Sequence, residues 1–169
     1  MKFGLPFKIL ALIIVMLAPP ALAGPYEDAA AAYARRSYTE ALLLWQELAA
    51  QGSAAAQYNL GALYENGQGV PKDSAAAERW YRLAAGQGLA DAQFTLGLRY
   101  ANGQNMSEAL KWYRLAAEQG FTQAQYNLGA IFDEANGVRR DFSEAAKWYR
   151  LAADNGSAAA QANLGLMHE

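Results

Sequence analysis

The 169-residue chain has no cysteine and a single histidine, His168, next to its C-terminus. Without cysteine there is no disulfide framework, so packing alone must hold the fold. No thiolate nucleophile is available, and a zinc site would have to be built from carboxylates. No metal and no cofactor are therefore expected. Neither sign of charge dominates: 14 Lys and Arg stand against 16 Asp and Glu. A general nucleic-acid binder needs clustered excess cations to neutralise phosphates, so nucleic acid is not an expected partner. Long apolar runs are also scarce. The longest, Ile9 to Ala18, is half of the roughly 20 residues that span a bilayer. Catalytic constellations are missing as well. "GQGVPK" (67–72) lacks the G-K-[ST] ending of a phosphate loop, and "GSAAAQ" (52–57) reads as a helix start rather than a nucleophile elbow. The acidic pairs Glu27/Asp28 and Asp133/Glu134 fall at helix ends, where carboxylates are ordinarily solvated. No catalytic residue is assigned, and the chain is expected not to be an enzyme.

Residues 1–23 have their own logic. Lys2 and Lys8 precede the apolar run, Pro19 and Pro20 end it, and Ala21-Leu22-Ala23 supplies small residues at a cleavage position. This is the layout of a secretory signal peptide, with cleavage expected after Ala23. The expected product is soluble, not inserted in a membrane, and secreted or periplasmic. No cysteine is present to carry a lipid. Loss of Lys2 and Lys8 leaves 12 basic and 16 acidic residues, a net charge of −4.

What the remainder contains is repetition. "WYRLAAGQG" begins at Trp80, "WYRLAAEQG" at Trp112 and "WYRLAADNG" at Trp148. The glycines Gly52, Gly88, Gly120 and Gly156 are spaced 36, 32 and 36, and so are Gly61, Gly97, Gly129 and Gly165. Ser37, Asp73, Asn105 and Asp141 share that spacing and are all good N-cap types. Glu40, Glu108 and Glu144 follow three residues later, at the capping-box distance. Each unit thus starts a helix at its cap and ends it 15 residues on, at a Gly suited to a left-handed conformation. The 32-residue unit loses four residues in a loop, where "NGQNMSEA" replaces "NGQGVPKDSAAA". The pattern predicts nine helices near 26–35, 38–50, 53–65, 74–86, 89–101, 106–118, 121–134, 142–154 and 157–168.

In the first helix of a unit, Ala77, Trp80, Leu83 and Ala84 share a face with Tyr81 at its edge. The second helix follows almost at once and buries Gln57, Leu60, Leu63 and Tyr64. Gly61, Gly97, Gly129 and Gly165 lie inside these second helices, where each costs about 1 kcal/mol relative to Ala. The expected return is close helix approach, with room for a bulky neighbour such as Trp80. Trp45 falls level with Tyr81 rather than with Trp80, so the first unit should pack differently there.

"AQYNLGALYENGQGVPKD" followed by "A..WYRLAA.QG" resembles the Sel1-like repeats, relatives of the tetratricopeptide repeat. The resemblance covers 37–169, with units starting near 37, 73, 105 and 141, after a capping helix in 24–36. It implies an all-α, right-handed α/α solenoid of about four helix-pair repeats, with the "LG" helices on the concave side. It also implies a non-catalytic adaptor that gathers protein or peptide partners. Some cysteine-rich secreted relatives are described as β-lactam-binding or β-lactamase-like. Their disulfide framework is missing here, so that activity is not carried over, and a β-lactamase-like hydrolase stands only as the last alternative to the binding role.

Two surface strips are candidates for binding. The first lies on the polar side of the second helices: Tyr58, Phe94 and Tyr126, beside Asn59, Thr95, Asn127 and Asn163. On a concave face the amides would bond an extended peptide and the rings would hold its side chains. The same groups would suit an envelope glycan, the alternative partner. Packing of these aromatics between neighbouring units is the competing structural use. The second strip is a basic ladder on the first helices: Arg79, Arg82, Lys111, Arg114, Lys147 and Arg150. Glu78, Glu118 and Asp154 stand four residues from Arg82, Arg114 and Arg150, which makes ordinary surface ion pairs the simpler expectation. Gln57, Gln93, Gln125 and Gln161 recur on the apolar edge and are expected to satisfy backbone groups. The last helix carries Leu164, Leu166 and Met167 and is the expected place for self-association or docking.

Overall fold

The computed structural model describes residues 24–167; the predicted signal peptide and His168 lie outside them. Among the described residues there are nine α-helices and no strand: α1 (Pro25–Ala34), α2 (Tyr38–Ala50), α3 (Ala54–Asn66), α4 (Ser74–Gly86), α5 (Ala90–Asn102), α6 (Met106–Glu118), α7 (Thr122–Glu134), α8 (Phe142–Asp154) and α9 (Ala158–Met167). Each lies within one or two residues of its expected place. The chain divides into two compact units, one up to Trp80 and one from Tyr81 on, so the division falls inside α4. In the first unit α1 packs on α2 and α2 on α3; in the second each helix from α5 to α9 packs on the next.

The turn between paired helices follows from one glycine. Gly52, Gly88, Gly120 and Gly156 have φ of +92°, +91°, +86° and +88°. A Cβ on any of them would meet nothing within 4 Å, so conformation and not space demands Gly here. The Gly120 N–H donates to the Ala117 carbonyl and the Phe121 N–H to Ala116, the two bonds of a Schellman motif. The residue after the Gly is already the N-cap of the next helix. At Ser53 its side chain accepts from the Ala56 N–H. Two short links make the same turn without glycine: Arg36 and Gln104 take φ of +64° and +60°. Gly103, one residue earlier, stays at φ −80°.

Small residues set the packing distance. Ala41, Ala77, Ala109 and Ala145 are fully buried at one position of the first helices, and Leu60, Leu96 and Leu128 at one position of the second. The first-helix face keeps Ala77 and Ala84 at its centre as expected but is shifted toward the tyrosine and away from Leu83. Tyr81, Tyr113 and Tyr149 are the most deeply buried rings of α4, α6 and α8, at most 2 % exposed, whereas Leu83 is 52 % exposed. Trp112 and Trp148 are buried beside them, 8 % and 6 % exposed, and donate their indole N–H groups to Glu108 and Glu144. The face shifts because a helix inside the array packs against helices on two sides, before and after it.

The mid-helix glycines therefore serve a different ring from the one expected. A Cβ at Gly97 would lie 2.5 Å from Cδ1 of Tyr113, and one at Gly129 would lie 2.5 Å from Cδ1 of Tyr149. The socket receives the tyrosine of the following helix, not a tryptophan of the paired one. Trp45 occupies the tyrosine position in α2, 1 % exposed, with its ring 5.5 Å from that of Tyr33. Its indole N–H has no acceptor among the described residues. The residue four before it is Ala41, so no carboxylate stands where Glu108 serves Trp112.

The caps divide in the same way. Asp73, Asn105 and Asp141 accept first-turn N–H groups through their side chains, and Ser37 does not. Capping boxes are not what the glutamates form. Glu108 and Glu144 reach forward to the tryptophans, and Glu40 pairs with Arg35. An indole donor one turn ahead offers a carboxylate a second partner that the spacing alone does not reveal.

Candidate partner-binding surfaces

The strip on the second helices is only partly at the surface. Asn59 is 4 % exposed and donates to the Tyr26 hydroxyl at 3.0 Å, and Thr95 is equally buried. Asn127 and Asn163 share hydrogen bonds with the Tyr113 and Tyr149 hydroxyls. Burial pushes both phenols up to about 12, more than those bonds lower them. The amides thus lock the tyrosines that fill the glycine sockets. The aromatics are half-buried. Phe94 lies 5.9 Å from the Tyr113 ring and 4.9 Å from that of Phe121, and Tyr126 lies 5.7 Å from Tyr149. Tyr58, their counterpart in the first unit, is half-buried as well. The competing structural use is thus realised for part of each ring, and the rest of the ring faces out.

The repeated glutamines behave as buried amides. Gln57, Gln93 and Gln125, each under 7 % exposed, donate to the carbonyls of Ala49, Ala85 and Ala117 in the last turn of the preceding helix. These carbonyls lack a partner within their own helix. The other end of the amide links onward: Gln93 accepts from Gln119 at 2.7 Å and Gln125 from Asn155 at 2.9 Å. Gln161 repeats the first bond, to Ala153, but is exposed.

The basic strip is less free than its charge suggests. Lys111 and Lys147 pair with Glu108 and Glu144 at 3.8 and 3.3 Å and lie 5.2 Å from the centroids of Trp112 and Trp148. Arg82 meets the Tyr100 hydroxyl. Arg79 and Arg150 are exposed. Among the described residues no ion pair joins Arg114 to Glu118 or Arg150 to Asp154. Arg114 instead lies 5.9 Å from the centre of the Phe132 ring.

One grouping has no counterpart in the sequence pattern. Phe132, Val138, Arg139, Arg140, Asp141 and Phe142 line an open depression around the α7–α8 loop. "RRDF" signals only a helix cap, because Phe132 comes within reach of these residues through the fold alone. Among the described residues there is no group of three or more His, Asp or Glu suited to a metal ion. No described helix is long and apolar enough to cross a membrane.

Comparison with known proteins places these features in context. The Sel1 repeat matches residues 54–89, 90–121, 122–157 and 158–169. Its frame begins at the second helix of each pair, half a unit later than the caps suggest. The fold is similar to that of a Sel1 repeat protein from Oxalobacter formigenes, with a TM-score of 0.75 and 40 % identity over 86 % of this chain and 59 % of that one. It is also similar to c5321, a protective antigen of uropathogenic Escherichia coli strains displaying an SLR fold. There the TM-score is 0.73 and identity 32 %, over 85 % of this chain and 33 % of that one. A short stretch of 46 residues is 48 % identical to HRD3, an ERAD-associated E3 ubiquitin-protein ligase component of Candida glabrata. That stretch is 27 % of this chain and 6 % of HRD3. The chain thus spans less than two thirds of the length of each of these relatives.

Proposed function

Because the chain belongs to the Sel1 repeat family, we propose that it is an exported, non-catalytic scaffold that binds a protein or peptide partner. The contact surface is the exposed side of the second helices, carried in the second unit by Phe94 and Tyr126, with Tyr58 as their counterpart in the first. The observation behind this reading is that the two rings are held in advance. Each packs on a tyrosine that is itself seated in a glycine socket and bonded to an asparagine, as Tyr126 is on Tyr149. A preformed aromatic surface loses little side-chain entropy on binding, which favours affinity. Asn59 and Thr95 contribute indirectly, through the helix packing, since they are buried.

The test is site-specific photo-crosslinking of the full chain in its native host, with the reactive residue at Tyr126 and, as control, at Arg150 on α8. A discrete protein adduct from Tyr126 alone supports the reading. Adducts from Arg150 alone, or a glycan adduct from Tyr126, would replace it.

A further inference from the structure

The depression around the α7–α8 loop has a chemistry of its own. Its apolar lining is Phe132, Val138 and Phe142, and Phe142 is 55 % exposed. Arg139 and Arg140 line the same space. The Arg140 guanidinium lies 5.2 Å from the Phe142 ring centroid, and Arg114 lies 5.9 Å from that of Phe132. A guanidinium stacked on a ring keeps its N–H edge available for a carboxylate.

The opposing charges are accounted for. Asp141 faces the depression, but its Oδ1 accepts the Ser143 and Glu144 N–H groups at 3.0 Å, where the α8 N-terminus holds it. Asp133, Glu134 and Glu118 stand at the ends of α7 and α6. Among the described residues none of them forms an ion pair with Arg114, Arg139 or Arg140. The matching sequence stretch "RRSY" at 35–38 behaves otherwise. There Arg35 pairs with Glu40 at 3.2 Å, and Tyr38 is half-buried with its ring 5.3 Å from Tyr33. In the second unit the same residue types leave both the cations and the ring open.

We propose that this depression docks an acidic peptide segment of a partner protein, one apolar side chain resting on Phe132, Val138 and Phe142 and the flanking carboxylates on Arg114, Arg139 and Arg140. The charge complementarity is specific: Arg139 and Arg140 line the depression and Arg114 lies beside its Phe132, none of them in an ion pair among the described residues, and the carboxylate in the lining, Asp141, is held by the α8 N-terminus, on a chain whose overall charge is negative. The surface differs from the Phe94/Tyr126 strip, and each stands or falls by its own experiment.

The test is fluorescence anisotropy with the full chain and a labelled dodecapeptide of Glu and Asp around one central Trp. Lysine replaces the acids in the matched control, and a sulfated dextran competes as an anionic glycan. The expected result is saturable binding of the acidic peptide that weakens with salt. It should fall about tenfold or more in R139E/R140E and by a smaller factor in F142S. It should persist in R35E/R36E, which makes the same change of charge. Melting curves confirm that the variants are folded. No binding of the acidic peptide to the unaltered chain overturns the proposal. So does equal loss in both double variants, or displacement by the dextran that is unaffected by R139E/R140E.

Discussion

At the scale of single residues, the same substitution has opposite signs at equivalent positions. Gly97→Ala gains about 1 kcal/mol of helix propensity, but its Cβ would lie 2.5 Å from Tyr113, a ring 2 % exposed. Overpacking of a filled core costs about 1–3 kcal/mol, so the variant should be less stable. A Cβ at Gly165 would meet nothing within 4 Å, so Gly165→Ala should be neutral or stabilising by up to about 1 kcal/mol. Denaturant melts of the two variants check the contrast. The buried tyrosines make a second prediction. Tyr113 and Tyr149 are pushed up to about 12 in the fold, while an unfolded tyrosine ionises near pH 10. Their stabilising effect is therefore complete below pH 10 and is lost as pH rises from 10 to 12, because only the unfolded chain ionises there. Stability measured across that range should fall, and it should fall less steeply in Y113F/Y149F.

At the scale of elements, the links between helices decide how much strain the array carries. Gln104 adopts φ +60° in the α5–α6 link, a conformation that costs a residue with a Cβ about 1–2 kcal/mol. Part of the gain from glycine is offset by the greater freedom it gives the unfolded chain. Gln104→Gly should raise stability by about 0.5–1 kcal/mol, visible as a shift in denaturant midpoint without a change in slope. The neighbouring Gly103→Ala should show no such strain, since its φ is −80°. The long links use glycine for a second reason. A Cβ at Gly69 would lie 2.6 Å from the Tyr38 backbone, and one at Gly137 would lie 2.7 Å from the Cβ of Met106. These loops thus close onto the start of the first helix that precedes them.

At the scale of the whole molecule, the described helices form two units with their own cores, one around Trp45 and Leu60 and one around Tyr113, Leu128 and Tyr149. Export is the remaining proposal at this scale, and it rests on residues 1–23 alone. Cleavage after Ala23 would make Gly24 the first residue. In the structure its N–H donates to Glu27 at 3.0 Å, so a new ammonium group there would meet a carboxylate. N-terminal sequencing of protein recovered from the host envelope or medium should begin at Gly24; a chain retaining Met1 would remove the export reading.

The helix pairs, their phase and their turns are legible in the sequence itself. Caps, C-terminal glycines and burial periodicity act within about 15 residues, and their spacing of 36, 32 and 36 repeats along the chain. Family membership follows from the same local signals. Which ring enters each glycine socket is not legible there. Trp and Tyr are adjacent in "WY", and a helix with neighbours on two sides rotates its buried face to serve both. The amide and aromatic strip is misleading for a related reason: Asn59 and Thr95 look outward on an isolated helix and are buried once the array is assembled. The basic and aromatic depression depends most on tertiary structure. Phe132 lies in the last turn of one helix and Phe142 begins the next, and Arg114 comes from a third, α6. Local physics determined each helix, and only packing between helices decided which of their side chains remain at the surface together.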